Sequence, residues 1–231
     1  MMAGASPRGD PGESDSRLAG VCGILFGILV IATFTASYNF PADPSQADAT
    51  LAQFSSLRNA FLAGDIFIGL AAVFAIPYFV GLRNAFNGKD RLLVGSATLM
   101  GLVGIVVTAA VFIGEAITLD VLSGPYATGG VSKTTAVVVA QAVIGFGTVE
   151  VFGFLVFAAG FAVYGFATIR GKPFPRWLGY LGILGAVLFL LGSLPVSGAF
   201  TAIFAGVILI LVWVFATSVL MWRSGAPRAT R

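Results

Sequence analysis

RLAGVCGILFGILVIATFTASY, residues 17–38, carries one charge, at its first position, and then twenty-one residues without another. At 1.5 Å per residue a run of this length makes a helix of about 30 Å, the thickness of a bilayer's hydrocarbon core. A cleaved signal peptide is the rival reading, because Thr35 and Ser37 imitate a small-x-small cleavage site. The apolar run is longer than the usual 7–15 residues, and the leader mixes acids with Arg8 and Arg17, so the segment reads as a first membrane span.

The rest of the chain repeats the pattern. Hydrophobic residues make up 58% of the 231 positions and charged residues 10%, against about 25% charged in a soluble domain. Most of the surface must therefore face lipid. Upstream, residues 1–16 are rich in Gly, Pro, Ser and charge and read as a disordered tail. Downstream, Pro41 and Pro44 end the first helix, and Leu51, Phe54, Leu57 and Phe61 recur at helical spacing among polar residues. That stretch reads as an amphipathic helix lying on the membrane surface and running into the second span.

Six spans are expected, at about 18–38, 61–82, 92–114, 148–168, 177–194 and 199–222, within one transmembrane domain over 17–222, followed by a basic tail, 223–231. The fold class is all-α, a polytopic bundle. Pro77 falls near the end of the second span as a kink tolerated inside a bundle. Residues 116–134, with Pro125, Gly129, Gly130 and Lys133, read as a loop. Residues 135–168 form an apolar run too long for one span, so 131–147 begins outside or is partly non-spanning.

Charge sets the orientation. With both termini inside, the cytoplasmic segments hold Arg8, Arg17, Arg83, Lys89, Arg91, Arg170, Lys172, Arg176, Arg223, Arg228 and Arg231; the outer segments hold Arg58 and Lys133. Eleven against two is a strong positive-inside bias, and Trp177 and Trp222 sit beside inner charges where amphipathic rings belong. The expected location is the plasma membrane, multi-pass. The net charge of +3 serves orientation and anionic lipid; no nucleic acid is expected, since no basic stripe with interleaved aromatics exists.

Other chemistries are excluded or weakened by what is missing. There is no histidine, which removes His-ligated haem, His-containing zinc sites and Ser-His-Asp triads. The single Cys22 forms no internal disulfide and no Cys cluster, and reads as a small buried residue of the first helix. No phosphate-cradling glycine motif follows a strand. No cofactor and no metal is expected.

Thirty glycines crowd the apolar runs, among them Gly20, Gly23 and Gly27, with Gly182-x-x-x-Ala186 later. Small residues let helices approach closely where lipid supplies no hydrophobic push. Packing inside one bundle is the expected use; a homo-oligomer through these faces is the other.

Arg17-Leu18-Ala19-Gly20 opening the first span, the amphipathic outer stretch, Arg58 before Asp65, and GKPFPRWLGYLGILGAVLFLLG at 171–192 together resemble the bacterial membrane proteins known as domain of unknown function 4386. The likeness covers roughly 17–222 and is weakest over 123–147. It implies a six-helix membrane protein and carries over no activity, ligand or catalytic residue.

Four acids lie in or beside the spans: Asp65, Glu115, Asp120 and Glu150. Counted from Arg83, Arg91 and Arg170, the positions of Asp65, Glu115 and Glu150 are about 27, 36 and 30 Å along their helices, near the outer edge of the core. The plain reading is separate solvation, or pairing with Arg58 or Lys133; Arg58 lies two turns before Asp65 and is the expected counter-charge. The functional reading is an outer acidic cluster of Asp65, Glu115 and Glu150 that takes a small cation or basic group, with Gln141, Thr148 and Tyr126 as further oxygen ligands. Three classes of function follow: a non-enzymatic membrane protein that packs against lipid or a partner, a small transporter or channel, and an intramembrane enzyme, the last disfavoured by the missing catalytic groups.

Overall fold

The computed structural model describes residues 11–37, 47–86, 88–130, 132–145, 147–193 and 199–224. Among them are seven helices and no strand: α1 (Pro11–Ser37), α2 (Ala47–Ala85), α3 (Arg91–Thr128), α4 (Lys133–Gly145), α5 (Gly147–Gly171), α6 (Arg176–Gly192) and α7 (Ala199–Ser224). Five contain stretches long and apolar enough to cross a membrane: Ser14–Ala36, Leu57–Ala85, Arg91–Thr128, Phe152–Gly171 and Thr201–Ser224. The sixth and seventh, α4 and α6, are apolar but shorter.

Six of the helices close into a ring. Neighbours pack in the order α1, α2, α3, α5, α6, α7, and α7 returns to α1. The closure brings the first turns of α1 beside the end of α7: the Ser16 hydroxyl donates to the Met221 carbonyl at 2.8 Å and lies 3.0 Å from the Ser224 hydroxyl. The α2–α3 and α5–α6 links share this terminal face, and α4 lies at the other. Ring contacts rely on absent side chains. A Cβ on Gly104 of α3 would stand 2.6 Å from the Phe157 backbone nitrogen of α5, and one on Gly20 of α1 would stand 2.6 Å from the Ser218 carbonyl of α7. Gly23, Gly27 and Gly182 likewise face Tyr78, Phe215 and Trp213 inside the chain, so the glycine faces are used within one bundle.

Aromatic rings fill the centre. Phe79 lies 6.1 Å from Tyr164, Phe161 5.1 Å from Trp213, and Phe157 4.8 Å from Phe161, centroid to centroid. Two hydroxyl pairs tie the helices at this level, Tyr78 with Thr217 at 2.9 Å and Tyr164 with Thr98 at 2.7 Å. A cavity of about 40 Å³ remains between Phe26, Phe34, Ile68, Phe112, Phe154 and Phe189, with Thr33 and Thr108 also on its lining.

Three expectations from the sequence need correction. The first helix starts at Pro11, inside the stretch 1–16 expected as a disordered tail, because Ser16 is fastened to α7. The stretch expected to lie on the membrane surface is instead the start of α2, which continues for 39 residues through Pro77, about 58 Å. The stretch expected as a loop, 116–134, is helical to Thr128, ending on Gly129 in the left-handed region with the Gly130 amide bonded to the Pro125 carbonyl. Residues 131–147 contribute a separate short helix, α4, packed against α2 and α3. Of the apolar positions Leu51, Phe54, Leu57 and Phe61, read as one stripe, Leu51, Phe54 and Phe61 are buried together and Leu57 is not among them. Their partners are Ala116 and Leu119 of α3 and Ala136, Ala140 and Ile144 of α4, so the stripe faces a second small core rather than lipid. The expected turn at 194–198 and most of the tail 223–231 lie outside the described residues.

Candidate functional site

The acids mark the junction between the ring and this cap. Below them lies the ring core, including Ile68, Ile105 and Ala109; above them lies the cap core, including Phe61, Ala116 and Leu119. Antiparallel packing sets the register: the Cβ position of Gly69 on α2 is 3.5 Å from Ile113 Cδ1 on α3. One turn further along, Asp65 and Glu115 come within reach of each other's charge. Asp65 is 7% exposed and Glu115 half-buried. The Thr33 hydroxyl on α1 closes the layer, donating to the Leu29 carbonyl at 2.9 Å with the Gly64 carbonyl at 3.3 Å.

Asp65 does not pair with Arg58. That guanidinium grips Asp120 of α3 with two bonds, Nε to Oδ1 at 2.5 Å and Nη2 to Oδ2 at 3.0 Å. The reason is the register just described: two turns above Asp65 on α2, the residue facing Arg58 is Asp120, in a stretch of α3 that was expected to be loop. Asp65 Oδ2 is left buried without a hydrogen-bond partner, a state that costs about 1–3 kcal/mol, more for a charged group.

Of the three expected acids, Asp65 and Glu115 lie on neighbouring helices within reach of each other's charge. Glu150 lies in the first turn of α5, and its side chain is outside the described residues, as is that of Thr148. Gln141 is exposed on α4. Tyr126 donates to Asp48 and lies under the Lys133 ammonium, 5.7 Å from the ring centroid, so it serves the cap instead. Among the described residues no three Cys, Asp or Glu side chains gather in a way that would hold a metal. The arrangement is two carboxyls on neighbouring helices, one nearly enclosed, with Arg58 engaged by Asp120.

Reading the sequence missed the hydroxyl pairs Tyr78–Thr217 and Thr98–Tyr164, because Tyr and Thr pass unnoticed in an apolar run. It also missed the Asp48–Tyr126 bond, since both partners sat in segments read as separate.

No curated protein and no solved structure matches the chain. The profile of a family described only as a domain of unknown function, DUF4386, matches residues 18–223, which take in all seven helices apart from the first seven residues of α1 and the last residue of α7. The chain belongs to the DUF4386 family.

Proposed function

We propose that the chain is a six-span, non-enzymatic protein of the plasma membrane, with both termini cytoplasmic, which acts by packing against lipid or a protein partner. The observation that carries it is the ring's interior: aromatic side chains fill it and leave a cavity of only about 40 Å³. An ion crossing there would exchange its hydration shell for a few uncharged hydroxyls, those of Thr33 and Thr108 on the lining and of the Tyr78–Thr217 and Tyr164–Thr98 pairs, at prohibitive cost. Six spans, rather than five, are supported by the meeting of Ser16 with Ser224, since two ends on one face require an even number of crossings. Helix α6, about 26 Å long, is the short sixth span, placed between α5 and α7. The basic residues of the terminal face make that face cytoplasmic.

Liposomes holding the purified protein test the reading. Loaded with a pH-sensitive dye and given a sodium, potassium or proton gradient, they should leak no faster than empty liposomes. A flux lost in Asp65→Asn or Glu115→Gln would overturn it and support the second reading, a small transporter with a cation-responsive acidic site. One observation favours that second reading, the unpartnered Asp65 oxygen beside Glu115. Topology is tested separately in a Cys22→Ser background. Single cysteines at 88 and 172 should resist an impermeant thiol reagent in intact cells, and one at 130 should react.

A further inference from the structure

On the terminal face, a groove of about 390 Å³ runs along the α2–α3 link, lined by Arg83, Asn84, Gly88, Lys89, Arg91 and Val94. We infer that this groove binds the phosphate of an anionic membrane lipid. Three cations share one concave wall, and the polypeptide turn that gathers them has two left-handed residues, Gly88 at φ 75° and Asp90 at φ 49°. The turn folds Lys89 and Arg91 back beside Arg83, at the end of α2. Arg91 also opens α3, a 38-residue helix whose first turn has no side-chain cap. Its unsatisfied N–H groups and the positive end of its dipole add to the field of the three side chains.

The nearby acid points away toward the neighbouring link. Asp90 is absent from its wall, and its Oδ2 lies 3.8 Å from the Cβ position of Gly171, on the neighbouring α5–α6 link. Membrane lipid fits better than a free anion because of what flanks the cations. Leu92, the residue after Arg91, is 87% exposed, and the exposed Leu99 and Val103 continue down α3 while Val80 and Ile76 continue down α2. These stripes give acyl chains a path away from a headgroup held by Arg83, Lys89 and Arg91. The inference requires only that the link lies at a membrane surface, whichever side that proves to be.

The test uses the full chain in a neutral detergent, with thermal unfolding followed as lipid is titrated. Phosphatidylglycerol should raise the midpoint, and phosphatidylcholine should not. Lys89→Gln and Arg91→Gln should each weaken the apparent affinity for phosphatidylglycerol about fivefold, from the attraction of one basic side chain to an anionic surface. The triple variant R83Q/K89Q/R91Q should lose the response, while R176Q/R223Q, with charge removed elsewhere on the same face, should keep it. Should the triple variant fail to fold, the two single variants decide. Equal losses in the R176Q/R223Q control would mean diffuse charge and overturn the site. An unchanged response in the groove variants would overturn it as well. A matching rise with millimolar inorganic phosphate alone would reassign the groove to a free anion and overturn the lipid.

Discussion

Replacing Asp65 by Asn should stabilise this protein, the opposite of what a salt bridge to Arg58 would give. The carboxyl is 7% exposed, one of its oxygens has no partner, another acid, Glu115, lies within electrostatic reach, and Arg58 is held twice by Asp120. Asparagine keeps the shape, removes the buried charge and turns a nitrogen donor toward the Glu115 side. Removing an unsatisfied buried polar group is worth about 1–3 kcal/mol; the new amide recovers only part of its own bonding, so a gain of about 1–2 kcal/mol is expected. Glu115→Gln should act in the same direction and more weakly, since that side chain is half-exposed. Once one carboxyl is neutral the other loses its like-charged neighbour, so the double variant should gain less than the sum of the two. Equilibrium unfolding in mixed detergent at pH 8, for the wild type and the three variants, measures all of this. A loss of 1 kcal/mol or more in Asp65→Asn would refute the reasoning, because it would mean that the carboxylate has a favourable partner.

Phe54→Ala, which empties a fully buried position of the cap core, should cost about 3–5 kcal/mol; a helix lying flat on lipid would scarcely register the change in a thermal melt. Gly104→Ala, forced against the Phe157 backbone, should destabilise by about 1–3 kcal/mol, measured by the same unfolding assay, whereas Gly95→Ala, with open space around it, should be neutral. Tyr78→Phe removes the bond to Thr217 and leaves that hydroxyl bonded only to its own helix, at a cost of about 1 kcal/mol.

The ring was legible in the sequence because lipid imposes a simple rule: each crossing needs about 20 apolar residues, and charge must wait at the ends. The links at 86–90 and 172–175 fall where the expected spans left room for them. The cap was not legible, and the reason is physical. The stripe Leu51, Phe54, Phe61 has the same pattern whether it lies on a membrane or on other helices, and only tertiary packing separates the two. Pro125 and the Gly129-Gly130 pair looked like loop chemistry spread over 116–134. In the fold, the glycines end α3 and Pro125 lies in its last turn.

The acids show how one such misreading propagates. Their depth could be counted from the ends of the spans, and Asp65 and Glu115 lie within reach of each other's charge. Their partners could not be counted, because pairing depends on which residues of α3 stand opposite α2 beyond the membrane core. With 116–134 taken as loop, Arg58 had only Asp65 on its own helix to turn to. Extending α3 by four turns gave it Asp120 across the interface, in two-pronged geometry that a flexible loop would not hold. That substitution changes what Asp65 is. A salt-bridged carboxylate near a helix end is ordinary structure. A carboxylate left nearly enclosed at the seam between an aromatic-filled ring and its cap, within reach of another acid's charge, lowers stability, so whatever role this protein has, that seam is where a structural explanation fails first.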